Sequence, residues 1–178
     1  MLQNYSTWKV AQVFFDEPAQ DHYLREISEK AGLSHTSVKK HLEDLERSGM
    51  IMVEKLERGE RTYPIYKRVE SDTFKLYKKL DVQDRLARSG LLEFIEENCY
   101  PDAIVLFGSA AYGEDIEGSD IDIYVQAADG KIDKSKYEEE FNRRIQLHFK
   151  ERLEDYPKEL VNNIANGIVI YGYIEVLK

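Results

Sequence analysis

The stretch Val105-Leu-Phe-Gly108-Ser109-Ala-Ala-Tyr-Gly113-Glu-Asp-Ile-Glu-Gly118-Ser119-Asp120-Ile-Asp122-Ile-Tyr-Val125 decides how this chain is read. Ala103 to Phe107 is short and wholly apolar, the pattern of a strand buried on both faces. Gly108 permits a sharp turn and, having no Cβ, lets the backbone come close to a phosphate. Ser109 adds a hydroxyl, and Ala110-Ala111-Tyr112 can open a helix whose first amides favour an anion. After a loop, Asp120 and Asp122 alternate with Ile121, Ile123 and Val125 in a second strand, with Ser119 placed to cap or steer its entry. Strand residues two apart share a face, with Cα atoms roughly 6.5–7 Å from each other. Both carboxylates therefore point one way and the isoleucines the other. Two acids held opposite a glycine turn suit a divalent cation that clamps a nucleoside triphosphate.

Downstream, Lys134 to Asn142 and Tyr156 to Asn166 have helical character, the latter around Leu160, Val161 and Ile164. Arg144-Ile-Gln146-Leu-His148-Phe149 alternates like a strand, and Ile168 to Leu177 is a β-rich end containing Gly172.

The Gly108-Ser109 turn followed by Asp120-Ile-Asp122 resembles the signature of the DNA polymerase beta superfamily of nucleotidyltransferases, most closely its short, minimal branch. Asn162 to Gly172 is similar to the closing helix and strand of that branch, so the likeness covers roughly residues 100–175. The resemblance implies nucleotidyl transfer from an NTP by in-line attack on the α-phosphate, driven by positioning and electrostatics. It implies that Gly108 and Ser109, with Ser119 beside the acids, bind the nucleotide. Asp120 and Asp122 would be catalytic and would ligate Mg2+ or Mn2+. The family usually brings a third carboxylate from a later strand. Here Gln146 or His148 falls at that position; glutamine is a weak ligand and no base, whereas histidine can take a proton. Glu151 lies just beyond the strand. Two outcomes stay open: an active enzyme with a substitute group, or a remnant that only binds nucleotide. Small members of this branch are often antitoxins that adenylylate a helical toxin partner, which implies a protein acceptor.

The first half reads differently. Thr7 to Phe15 is an apolar helix ending before Pro18, and Leu24 to Ala31 is a second helix stopped by Gly32. Ser34 is an N-cap for a third helix from about His35 to Ser48, with Val38, Leu42 and Leu45 on its apolar face. Met50 to Val53 and Thr62 to Tyr66 flank a charged turn, Glu57 to Arg61, and read as a hairpin. Three helices and a hairpin, with the junction Ala31 to Val38, resemble the winged helix-turn-helix family over roughly residues 5–70. That resemblance implies a third helix in the DNA major groove. His35, Thr36, Ser37, Lys39, Lys40 and His41 would face DNA, and Arg58 and Arg61 would reach from the wing tip. A homodimer is expected if the helix reads a palindrome. Glu43, Asp44 and Glu46 on the same helix would repel DNA if they faced it, which leaves a dimerisation or docking role open.

Ser71 to Asn98 holds no proline and one glycine, Gly90, and reads as two helices or one kinked helix. The expected organisation is therefore α+β: a winged helix-turn-helix DNA-binding domain over 1–70, a helical connector over 71–99, and a minimal nucleotidyltransferase domain with a mixed sheet over 100–178.

Charge agrees with this division. Of 178 residues, 25 are Lys or Arg and 34 Asp or Glu, a net charge of −9. Residues 1–70 hold 11 basic against 12 acidic side chains, and 71–178 hold 14 against 22. The acidic excess opposes nonspecific nucleic-acid binding by the whole chain, while a basic face in the first half remains open. The single cysteine, Cys99, rules out an intramolecular disulfide and a cysteine metal cluster, and reads as a core filler in a reducing, cytoplasmic setting. No run approaches the ~20 apolar residues of a membrane span, and the start lacks a signal-peptide layout. Two functions follow: a metal-dependent nucleotidyltransferase coupled to a DNA-binding module, or a transcription regulator or antitoxin-like protein whose nucleotidyltransferase fold is inactive and only binds nucleotide or a partner protein.

Overall fold

Apolar spacing builds the first helices. Helix α1 (Ser6–Asp16) buries Trp8, Val10, Ala11, Val13, Phe14 and Phe15. They pack with Ile27 of α2 (Leu24–Ala31) and Val38, Leu42 and Leu45 of α3 (His35–Arg47). Gly32 ends α2 in the left-handed region (φ +65°), and the Ser34 hydroxyl accepts from the Ser37 amide at 3.3 Å to start α3. The computed structural model describes residues 5–128, 130 and 132–175. Val176 and Leu177, expected in the β-rich end, lie outside the described residues, as does the side chain of Arg58.

Strands β1 (Ile51–Arg58) and β2 (Arg61–Arg68) form an antiparallel hairpin with Arg58 opposite Arg61. The turn is thus Gly59–Glu60, shorter than the expected Glu57 to Arg61. The charged ends of both strands lie on an exposed ribbon, where no apolar alternation announces them. His22 is tied to β2 by two backbone hydrogen bonds with Tyr66, each 2.9 Å.

The chain divides into two compact units, Met1–Asp81 and Val82–Lys178, within helix α4 (Asp72–Ser89). Phe74 belongs to the first core, and buried Asp81 accepts from the Trp8 indole (2.7 Å) and the Gln12 amide (2.8 Å). Val82 and Leu86 belong to the second core, with Leu91 and Ile95 of α5 (Leu91–Cys99). Among the described residues no helix is long and apolar enough to cross a membrane.

The second unit is built on a four-stranded mixed sheet of order β5-β4-β3-β6: β3 Ala103–Phe107, β4 Ile121–Val125, β5 Ile145–Phe149 and β6 Ile168–Gly172. β4 and β5 run parallel, and β3 is antiparallel to both β4 and β6. The expected α+β class with a mixed sheet is what the chain adopts. One sheet face, with Ile104, Leu106, Ile121, Ile123 and Val125, packs on Leu86, Leu91, Ile95 and on Tyr137 and Phe141 of α7 (Ser135–Phe141). The other face sets Val105, Phe107 and Tyr124 against Leu153 and Ile164, the latter from α8 (Lys158–Ala165). Alternation along β4 therefore leaves Asp122 and Tyr124 on this second face. The segment from Tyr156, expected to be helical, enters its helix only after Pro157, because the residue before a proline is driven out of the helical region and Tyr156 is extended (φ −93°, ψ 158°).

Candidate functional site

β3 ends at Gly108, whose backbone (φ +73°, ψ −163°) lies in a region essentially reserved for glycine. The reason is local. A Cβ here would sit 2.7 Å from Oδ2 of Asp122, the residue paired with Phe107 across the antiparallel ladder. The close approach that the sequence suggested for a phosphate is thus made first by a carboxylate. Ser109 opens α6 (Ser109–Tyr112), a single turn, which is shorter than the helix envisaged for anion binding. Gly113 ends it, and the amide of Glu114 returns to the Ser109 carbonyl at 3.0 Å.

The loop to β4 is fastened from elsewhere in the chain. Arg143, immediately before β5, donates from Nε to the Ser119 carbonyl (2.7 Å) and from Nη2 to the Asp120 carbonyl (3.1 Å). Its Nη1 donates to Oδ2 of the buried Asp115 at 2.7 Å. Guanidinium geometry suits this triple role, one plane serving a carboxylate and two carbonyls. Ser119 turns its hydroxyl inward, accepting from the Ile116 amide at 3.0 Å, and so shapes the loop.

Asp120 and Asp122 are both half-buried. Parallel pairing sets Asp122 beside Gln146 and Tyr124 beside His148, so β5 offers these two side chains to the acids. Gln146 Nε2 donates to Asp120 Oδ2, and His148 Nε2 lies 3.2 Å from Asp122 Oδ1. The His148 ring also stands edge-on to Phe107, centroids 5.0 Å apart. The structure thus brings Gly108, Asp120, Asp122, Gln146 and His148 together. Donors occupy the side from which a third carboxylate was sought. Glu151 is elsewhere: it lines a cavity of about 340 Å3 with Asp102, Gln126, Arg152 and Leu153, at the opposite strand ends. Tyr124, on the same face as Asp122, has its hydroxyl pushed up to about 12, by burial first and then by Tyr156, Asp102 and Asp155. It donates to the Lys150 carbonyl at 3.0 Å and is no base. Burial likewise pushes the Cys99 thiol up, in keeping with a packing role.

A divalent cation fits the acid pair in its donor chemistry. Magnesium is usually held by one or two carboxylates, with substrate phosphates and waters completing the octahedron. Asp120 and Asp122 supply two such groups, and the absent Gly108 side chain leaves Asp122 Oδ2 uncovered by any Cβ.

In the first unit, His35, Thr36, Lys39 and Lys40 are exposed on α3 and Ser37 is half-exposed; Arg61 is exposed at the hairpin tip. His41 departs from this group: its Nδ1 lies 2.8 Å from the Thr7 hydroxyl of α1, and it is half-buried. Glu43 and Glu46 stand toward β2, where their charge, after burial, helps raise the Tyr66 hydroxyl.

Sequence reading missed Arg143 and Asp115. Each is an ordinary charged residue between elements, and their pairing across the parallel crossover leaves no local periodicity.

Residues 89–175 match the family model described as polymerase beta, nucleotidyltransferase, which supports a nucleotidyltransferase-like fold for this half of the chain. Two solved structures are similar to the chain. One is described as a possible transcriptional regulator from Methanosarcina mazei Go1, 19% identical with a TM-score of 0.37, covering 55% of this chain and 83% of that one. The other is a point mutant of ZitR from Lactococcus lactis, 19% identical with a TM-score of 0.40, covering 50% of this chain and 60% of that one. No curated protein matches.

Proposed function

We propose that the second unit is a metal-dependent nucleotidyltransferase that moves a nucleoside monophosphate from an NTP to an acceptor hydroxyl. The observation that carries this reading is the pair Asp120, just before β4, and Asp122, within it, with the second carboxylate seated against the Cβ-free turn at Gly108. Both aspartates would hold Mg2+ or Mn2+, and the bound cation would neutralise the charge developing on the phosphates. Gly108 and Ser109 would support the triphosphate, with Ser119 keeping the loop in shape. The acceptor oxygen attacks the α-phosphorus, the bond to the β-phosphate oxygen breaks, and pyrophosphate leaves. His148, in reach of Asp122, would take the acceptor's proton, the task a third carboxylate would otherwise perform. Gln146 cannot take a proton, and its amide would position Asp120.

The first unit would be a winged helix-turn-helix that binds DNA through His35, Thr36, Ser37, Lys39, Lys40, Arg58 and Arg61. The turn at Gly32, the cap at Ser34 and the exposed start of α3 support it.

A second reading has its own support. Gln146 and His148 already offer donors to both carboxylates, as expected of a domain that binds nucleotide without turnover. Labelled ATP, GTP, CTP and UTP with Mg2+ separate the two. Transfer that disappears in Asp120→Asn and Asp122→Asn supports the enzyme; nucleotide binding without product supports the regulator. For DNA, a gel-shift series in salt should show affinity falling steeply as phosphate contacts are screened. A flat response argues against Lys39, Lys40 and Arg61 as phosphate partners.

A further inference from the structure

The first unit holds a group of donors that neither reading uses. Among the described residues, Glu17, His22 and Glu26 each offer one ligand atom, and these three atoms lie within 4.8 Å of one another. Glu17 follows α1, His22 sits on the bridge to β2, and Glu26 lies in the first turn of α2. His22 is fully buried, and its ring meets Phe14 edge-on at 5.0 Å.

The hydrogen bonding of His22 fixes what its ring can do. Nε2 lies 3.1 Å from the Glu17 carbonyl, which can only accept, so Nε2 carries a proton. In a neutral ring Nδ1 is then a bare lone pair. It points at two carboxylate oxygens, Glu26 Oε1 at 3.3 Å and Glu17 Oε2 at 3.9 Å. Three acceptors facing one another favour a cation, and in this structure the Lys30 ammonium supplies one to the two carboxylates. Bonds of about 2.0–2.2 Å at tetrahedral angles put neighbouring ligand atoms roughly 3.3–3.5 Å apart; the Nδ1–Glu26 separation of 3.3 Å lies in that range, and Glu17 Oε2, at 3.9 Å, would move inward on binding. The outer contacts agree: the Nε2 proton on a backbone carbonyl orients the ring as for a metal-bound histidine. The second oxygen of Glu26 accepts from the Tyr23 amide at 3.5 Å, turning Oε1 inward.

We propose that Glu17, Glu26 and Nδ1 of His22 form a site for a first-row divalent transition metal, three protein ligands with a fourth position open to water. One imidazole nitrogen and two carboxylate oxygens suit zinc and its neighbours better than magnesium. Lys30 now occupies the mouth of the site, its ammonium on Glu26 Oε1 at 2.7 Å and on Glu17 Oε2. This cation is on a flexible, partly exposed side chain and can leave, so metal and Lys30 compete for the same two oxygens. Because the His22 backbone is bonded to Tyr66 in both directions, a bound ion would fasten the end of α1, the start of α2 and strand β2 together.

The test is a Zn2+ titration of the full chain against a chromogenic chelator, in a D120N/D122N/H148Q background that removes the ligands of the other unit. One equivalent of zinc is expected. His22→Gln and Glu26→Gln should each weaken it by more than the roughly 10–100-fold that loss of an outer-shell partner costs. Lys30→Met, which removes the rival cation, should tighten it. No bound equivalent, or one indifferent to Glu26→Gln and Lys30→Met, overturns the site. These two side chains are partly exposed, so the result stands even where His22→Gln fails to fold.

Discussion

Asp120 and Asp122 meet an amide and an imidazole from the neighbouring parallel strand, Gln146 and His148, whereas Glu17 and Glu26 meet the ammonium of Lys30 and a fully buried imidazole. In the second unit the acids are aligned by strand register and crowded by a glycine backbone. In the first they converge where a helix ends, a loop turns back and another helix begins. In the former, the neighbouring strand supplies an amide and an imidazole to the acids. The latter has one soft side, Lys30, and a nitrogen donor at its base. The difference teaches that donor type and the identity of the resident cation, more than the number of carboxylates, separate two acidic sites in one chain.

The comparison breaks most readily at Gly108. Gly108→Ala would place a Cβ against Asp122 Oδ2 and add about 1–3 kcal/mol of backbone strain. Displacing the carboxylate should lower nucleotidyl transfer by roughly a hundredfold or more, as expected of misplacement by an ångström. Single-turnover assays with labelled NTP and a urea melt would check both, and zinc binding in the first unit should not change. Next in size is Arg143→Ala. It removes the guanidinium from buried Asp115 and frees two loop carbonyls, at a cost of about 3–5 kcal/mol in the denaturant midpoint of the second unit. A smaller loss, about 1.5–3 kcal/mol, should follow Trp8→Phe, which deletes the indole donor to buried Asp81 and leaves Gln12 in place. Thermal unfolding that reports on the first unit would register it.

The smallest effect sharpens the contrast through pH. Burial tends to raise the Glu26 carboxyl, but the Lys30 ammonium and the Tyr23 amide outweigh it and hold Glu26 below its ordinary value of 4.5. Its folded value is therefore lower than its unfolded one. The stability it contributes is present above about pH 4.5 and is lost as the pH falls through the lower folded value. Glu26→Gln should flatten the acid limb of a stability–pH curve, and a persistent slope of equal size would remove Glu26 from the account.

What could be read from sequence followed from periodicity. The alternation Asp120-Ile-Asp122-Ile placed both acids on one face because a strand has a period of two. Ser34, Gly32 and the Val38, Leu42, Leu45 spacing gave α2 and α3 nearly to the residue, since caps and apolar stripes act locally. Gly108 was legible as a special position, yet its close neighbour is a carboxylate, which only the β3–β4 register reveals. Arg143 was invisible because its three acceptors lie in a distant loop. The Glu17–His22–Glu26 group escaped notice for another reason. Glu17 reaches His22 through an irregular turn, and no periodic template predicts where such a turn points.

Arg143, Gln146 and His148, the residues that restrain or touch the acid pair from β5 and its approach, arrive within one short run of sequence. Successive side chains alternate between faces, so a single inserted or deleted residue there would turn Gln146 and His148 into the apolar core and Leu147 toward the carboxylates. Variation along this run should therefore proceed by exchange of one side chain for another and not by change of length. Placing a carboxylate at position 146 would need only one such exchange.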